Sequence, residues 1–366
     1  MSNQVLEIKD IVIKKFDTIN AIQVIWDKFH QLNESLTLEV QPRDSLLDRE
    51  IIESDLKFNN SDFQIYRWLV FRDKFEKELI GWYVLKVPKE SSVFAKAKKR
   101  IGYIDILIQK EYRRQGLGRL LLKKLVEKSN TIGCEMVQTR TSFESGIRFC
   151  EKLEGKLINI ESENRLYFKD VDWNLITKWI EEGRKRNPNT TIKEYYGVAV
   201  EKIEEYCELL AELEMDKPTL EDEDEKQSSE NYTPEGYREF VQYMNKKTFT
   251  VYTLRSNEKD GRISGITEIF FSKEKSPKRI EQGMTGVKSI YRGRGIGKWL
   301  KALMLDYIKN NLPEAEYWVT GNADHNEPML SINERLGFKH IYTKKTYQFD
   351  LIALQNNLKE KKENEQ

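Results

Sequence analysis

The sequence predicts an α+β fold in two similar halves, each a mostly antiparallel mixed sheet with helices packed on it. Three observations carry this. A strand, a Tyr-Arg pair, an Arg-x-x-Gly-x-Gly turn and an apolar helix occur twice, with the turns at residues 113–118 and 292–297. The turns stand 179 residues apart in a chain of 366, so duplication at domain scale is the simplest account. Runs of period two alternate with runs of period 3.6 through both halves. Hydrophobic content of 39%, with 11% aromatic, suffices for two cores of ordinary domain size.

Taken in order, residues 8–16 read as an opening strand and residues 19–32 as a helix, with Ile22, Ile25, Trp26 and Phe29 on one face. Residues 65–71 and 79–87 are rich in β-branched and aromatic side chains, as strands are, and flank a charged turn. The basic run 96–100 marks a solvated loop. Residues 101–108 form the strand before the first glycine turn; Leu117, Leu121, Leu122, Leu125 and Val126 are the apolar face of the helix after it. A strand at 136–140, a helix at 143–153 and strands at 157–160 and 165–168 complete the half.

A helix at 173–183 and a linker at 184–189 lead to a strand at 195–200 and a helix at 203–213. The acidic run 221–225 reads as solvated loop. Thr233 caps a helix with Pro234 at its first position. Strands at 249–254, 263–271 and 283–290 precede the second turn. Its helix carries Ile296, Trp299, Leu300, Leu303, Met304, Tyr307 and Ile308 in one stripe. A strand at 317–320, a helix at 327–336 stopped by Gly337, and a strand at 342–349 close the half. The expected division is a first domain at 1–170, a helical linker at 171–194, a second domain at 195–354 and a charged, frayed tail at 355–366.

Acids and bases cancel to a formal +1, which argues against a nucleic-acid partner. The first ten residues show no signal peptide, and nowhere are there about 18 consecutive apolar residues, so no membrane segment is expected. Cys134, Cys150 and Cys207 have no paired spacing, His30 and His340 have no partner pattern, and His325, between Asn322 and Asn326, reads as an exposed loop histidine rather than a catalytic one. No metal site is expected, and the setting is a reducing, cytoplasmic one.

A helix that opens on glycines presents unpaired backbone N–H groups at the positive end of its dipole, a seat for phosphate. The turn is not a nucleotide P-loop: Arg292 stands where the first Gly belongs and Trp299 where the hydroxyl belongs. The dinucleotide fingerprint fails at Lys298. Arg-x-x-Gly-x-Gly between a strand and a helix instead resembles the GNAT superfamily of acyl-coenzyme-A-dependent N-acyltransferases. The likeness spans both halves. In the second it extends from residues 284–287 to residues 320–338, a run with Asn322 and Asn326 that ends in Leu-Gly-Phe.

The resemblance implies two GNAT-like domains in tandem and acetyl-CoA as cofactor. The residues it points to for coenzyme A are Thr285, Gly286, Val287, Arg292, Gly293, Arg294, Gly295, Ile296, Gly297, Lys298, Asn322 and Asn326 in the second half. Their counterparts in the first are Ile106, Leu107, Ile108, Arg113, Arg114, Gln115, Gly116, Leu117, Gly118 and Arg119. Arg292 and Arg294 add positive charge to the seat. Asn322 and Asn326 contact the pantetheine arm by this analogy, or serve as turn and cap residues.

Transfer to an amine needs a base, because the amine is protonated near neutral pH. Glu281 and Glu268 are the candidates. The thioester carbonyl needs a donor, which a backbone N–H on the strand before the turn supplies. Where the family often has a Tyr as proton donor, four residues before the Gly of Leu-Gly-Phe, this chain has Asn333. The first half has Cys150 in that place and lacks the paired asparagines; Tyr342 or water is the candidate replacement for the acid. The expectation is an N-acetyltransferase acting on a small-molecule amine, with the second half catalytic. The alternatives are a non-catalytic acyl-CoA-binding or regulatory protein and a protein N-acetyltransferase. Tandem domains are compatible with a monomer.

Overall fold

The computed structural model describes residues 8–41, 46, 48–57, 63–90, 100–197, 201–216, 232–246, 249–272, 278–323 and 327–360. They form two units: Met1–Ile158 with Lys345–Gln366, and Asn159–Lys344.

The first unit contains β1 (Val12–Lys15), α1 (Gln23–Val40), α2 (Arg49–Lys57), β2 (Phe63–Phe71), β3 (Leu79–Pro88), β4 (Ile101–Ile108), α3 (Leu117–Ile132), β5 (Met136–Thr141) and α4 (Glu144–Lys152). Strands β1 to β4 pair antiparallel in sequence order, and β5 joins β4 in parallel. The helix α3 lays Leu117, Leu121 and Leu125 against Ile80, Tyr83 and Leu85 of β3. On the other face Trp26 and Phe29 of α1 meet Leu69 and Phe71 of β2. Burial of such side chains contributes about 1.5–3 kcal/mol each before entropy is counted.

The second unit follows with β6 (Lys156–Tyr167), α5 (Trp173–Arg186), β7 (Thr191–Tyr196), α6 (Ile203–Met215), α7 (Pro234–Lys246), β8 (Phe249–Asn257), β9 (Ile263–Ser272), β10 (Arg279–Val287), α8 (Ile296–Asn311), β11 (Tyr317–Ala323), α9 (Glu327–Leu336) and β12 (Lys339–Asp350). Its strand order is β6-β11-β10-β9-β8-β7. The β10–β11 pair is parallel and the other neighbours are antiparallel. On one face α8 packs on the sheet and under α5, so closely that a Cβ on Gly183 would lie 2.2 Å from Trp299. On the other, α6 and α7 cover β8 and β9.

Four expectations change. The chain passes between units within β6 and again within β12, so the division at 1–170 and 195–354 differs from the structural one. Residues 157–160 and 165–167 belong to one strand, which ends just before Phe168: the polar stretch between them is held because β11 pairs along it and Arg165 neutralises buried Glu163 at 2.7 Å. Residues 355–360 of the expected tail are helical. Leu351, Leu354 and Leu358 of α10 (Leu351–Glu360) form a helical stripe in the core of the first unit. The strand expected at 195–200 is β7, Thr191–Tyr196, and residues 198–200 lie outside the described residues. The runs 96–99 and 221–225, with His325 and Asn326, lie outside the described residues. Among the described residues, no helix is long and apolar enough to cross a membrane.

Candidate active site

Each glycine turn ends in a left-handed glycine, Gly116 at φ 84° and Gly295 at φ 79°, directly before its helix. The first intrahelical bonds run from Leu120 N to Gly116 O and from Trp299 N to Gly295 O. Amides earlier than these have no helical carbonyl to reach and face outward together. A Cβ on Gly293, also left-handed at φ 80°, would meet nothing within 4 Å, so the space before the cradle is open.

The arginines expected to add charge there have partners within the protein. Arg113 donates through Nε to Ile108 O at 2.8 Å and grips Glu39 of α1 with both Nη atoms at 2.6 and 2.7 Å. Arg292 repeats this: Nε reaches Val287 O at 3.0 Å, and Nη2 bonds Asp216 at the end of α6. Arg113 so braces its strand and turn to α1, and Arg292 braces its own to the end of α6. Arg294 is tied to Asn187, Glu258 and Thr190, and Lys298 to Glu182. Arg119 donates to Leu358 O. Exposed Arg114 takes the left-handed place of Gly293 at φ 63°. What both turns present in common is backbone N–H.

Behind each turn two parallel strands part. β4 and β5 pair over three residues, ending at Tyr103–Gln138; β10 and β11 likewise end at Glu281–Val319. In the first unit the opening is a cavity of about 150 Å³ lined by Ile104–Leu107, Leu122, Phe149 and Cys150, among others. Burial raises the Cys150 thiol to about 12 and raises the Asp105 carboxyl as well. Leu117 starts the helix below, and Gly118 and Gln115 complete the turn.

β10 differs from β4 by one residue. Its register on β9 shifts between Gln282 and Thr285, so Gly283 and Met284 together oppose Glu268; β4 runs against β3 without a shift. Such a bulge bends the strand and releases it from ladder pairing. Gln282 fills the gap by donating to Glu268 O at 2.6 Å and Thr285 Oγ1 at 2.8 Å. Thr285 also bonds Thr267 at 2.7 Å. Gly283 is required here, since a Cβ would sit 2.8 Å from Glu268 Cβ. Gly286 is required too, because Leu213 of α6 would lie 2.3 Å from its Cβ.

Glu268 is buried on the α6–α7 face. Its carboxylate accepts from Tyr206 Oη, from Tyr237 Oη at 2.9 Å and from Met284 N at 3.3 Å. Burial outweighs these bonds and raises its pKa above the ordinary carboxylate value. Glu281 lies on the same strand face nearer solvent and pairs with Arg279 at 3.0 Å. Asn333 is buried on α9, and its Oδ1 accepts from Lys301 Nζ of α8 at 2.7 Å. Tyr342 donates to Glu163 on β6. Asn322 pairs through its backbone with Ser162. Sequence reasoning missed the bulge, Gln282, the two tyrosines and Lys301. The one-residue excess between paired strand start and turn was present in the sequence, but only pairing shows where counting begins.

A model of the acetyltransferase (GNAT) family matches residues 26–155 and again residues 217–338, together more than half of the chain. Among solved structures, a tandem GNAT protein from the clavulanic acid biosynthesis pathway is similar over 93% of this chain and 99% of its own, with TM-score 0.70 and 18% identity. A GCN5-related N-acetyltransferase from Sphaerobacter thermophilus matches with TM-score 0.61 and 14% identity, covering 93% of this chain and 96% of its own. Saccharomyces cerevisiae N-myristoyltransferase, solved with myristoyl-CoA and inhibitors, gives TM-score 0.54 and 14% identity, covering 95% of this chain and 82% of its own. At such identities the likeness is one of fold. No curated protein matches the sequence.

Proposed function

The chain belongs to the acetyltransferase (GNAT) family as two units in tandem, an acyltransferase, and from that premise we propose that it moves an acetyl group from acetyl-CoA directly to an amine on a small molecule. The second unit is the catalytic one in this reading. The observation that carries it is the bulge of β10 locked onto buried Glu268 beside an open amide cradle.

Residues 293–298 hold the pyrophosphate through backbone N–H groups, and the parted β10 and β11 receive the pantetheine arm. An N–H of β10 freed by the bulge polarises the thioester carbonyl. Glu268 takes the proton of the attacking amine; its raised pKa suits a base working near neutrality better than an ordinary carboxylate would. Of the two carboxylates, Glu268 is favoured over Glu281, which Arg279 holds as an ion pair near solvent. The first unit retains the cradle but has Leu122 and Cys150 where the second has Lys301 and Asn333, which supports binding of coenzyme A there without turnover.

Free-thiol release from acetyl-CoA across a panel of amines tests the reading. Amine-dependent release is expected, with one or two coenzyme A molecules bound per chain by calorimetry. Binding with no amine-dependent release by any member of the panel would sink the enzymatic reading and leave a binding protein.

A further inference from the structure

Lys301 lies mid-way along α8 and is fully buried. An ammonium taken out of water without a counter-ion is costly. The contacts described for it include no carboxylate: Asn333 Oδ1 accepts at 2.7 Å, and the rings of Trp318 on β11 and Phe338 before β12 lie 5.1 and 5.2 Å away. Burial pulls its pKa down to about 7. Asn333 is as unusual. Its Oδ1 serves Lys301, while its Nδ2 is buried with no acceptor among the described residues. Buried donors are seldom left so without a reason.

Position supplies the reason. Counted from the turns, Lys301 stands where the first unit has Leu122. Asn333 stands where it has Cys150, since Phe338 N bonds Asn333 O as Gly155 N bonds Cys150 O, each at 3.0 Å. Leu122 and Cys150 both line the cavity between the parted strands of the first unit. In the second, Trp318 pairs with Ile280, one register before the strands part. Lys301 is therefore level with the closed end of the opening, roughly 9 Å along α8 from Gly295.

Resting on the reading of the second unit as a coenzyme A-dependent transferase, we propose that Asn333 and Lys301 form the seat of the departing sulfur. Asn333 donates its Nδ2–H to that sulfur. Lys301 is a positioning residue that fixes the amide and places positive charge nearby. In the transfer the acceptor nitrogen forms the C–N bond, the C–S bond breaks with its electron pair on sulfur, and the acceptor's proton passes to Glu268. A donor and a charge set in advance where negative charge develops need no reorganisation at that moment. Thiolate and ammonium each favour the ionised form of the other.

The experiment titrates the thiol of coenzyme A by its ultraviolet thiolate absorbance, bound to the full chain carrying Gly116→Val so that only the second unit is read. A free thiol of this kind titrates at about 8.5. The bound thiol is expected at least about one unit lower, which is roughly tenfold more thiolate per thiol at a given pH. Lys301→Met removes a buried charge and Asn333→Asp neutralises it in the same volume; each is expected to return the thiol to its free value. A bound thiol that titrates as it does free, or a shift that survives both substitutions, overturns the inference and leaves the functional reading standing. Calorimetry that finds no coenzyme A bound overturns the reading, and the inference with it.

Discussion

At the first turn, β4 runs regularly past Val84, and its slot is floored by Leu122 and Cys150. At the second, β10 carries one extra residue opposite Glu268, Gln282 occupies the place of Ile104, and Lys301 with Asn333 occupies that of the Leu–Cys pair. The turns themselves are alike down to the arginine brace. Binding phosphate through amides needs only a helix start and a left-handed glycine, so it survives whatever lies behind it. Chemistry needs polar groups held away from water, and each of those is a cost to stability. In the proposed reading the first unit is relieved of the chemistry, and so is free to place Ile104, Leu122 and Cys150 at the positions of Gln282, Lys301 and Asn333.

The largest expected effect separates the units by rate. Glu268→Gln keeps the volume and, through its one carbonyl oxygen, the two tyrosine bonds, gives up the bond from Met284 N, removes the base, and should lower kcat by about 10²–10⁴-fold with acetyl-CoA binding unchanged. The pH dependence fixes the sign. Because the folded-state pKa is raised, activity should fall as pH drops through that raised value, where the carboxylate is lost. Stability should move the other way. The folded state holds this proton more tightly than the unfolded chain, so wild type loses stability as pH rises from the ordinary carboxylate value through the raised one. The Gln variant should lack both dependences. An unchanged rate profile in Glu268→Gln would transfer the role of base to Glu281.

Next in size is a test of whether both cradles bind. Gly295→Val and Gly116→Val each place a β-branched residue at positive φ, at a strain of roughly 1–2 kcal/mol or more, and obstruct the approach to the amides. If both turns hold coenzyme A, each variant loses one equivalent by calorimetry, and only Gly295→Val loses amine-dependent thiol release. Full activity in Gly295→Val would refute the assignment of the second turn; full stoichiometry in Gly116→Val would refute that of the first.

These differences were unevenly legible in the sequence. The duplicated turn and the leucine-rich helices are local, so spacing alone exposes them. Lys301 reads as solvated because a lysine in a helix usually is; only the packing of α8 under Trp318 and Phe338 buries it. Glu163 fell in a polar stretch read as a break between strands, because its partner Arg165 and the pairing with β11 are invisible to periodicity. At the C-terminus the stripe of Leu351, Leu354 and Leu358 was available, but the charged residues after it suggested a frayed tail. The protein partners of the turn arginines were not legible, because Glu39 and Asp216 lie 74 and 76 residues away in sequence.

That last point allows the finest test, and the smallest effect. If Arg113 and Arg292 are braces, replacing them with Ala should weaken folding rather than phosphate contact. Arg113 and Glu39 are mostly shielded, at 15% and 27% exposure, and joined by two bonds, so the coupling from a double-mutant cycle should approach about 1 kcal/mol. Arg292 and Asp216 are near half exposed, at 48% and 44%, and screening should leave their coupling smaller. In both variants the affinity for coenzyme A should keep the salt dependence of the parent. A salt dependence that flattens in Arg292→Ala would mean that the guanidinium leaves Asp216 for the phosphate when the ligand arrives, and the shared brace would then be a feature of the ligand-free turn alone.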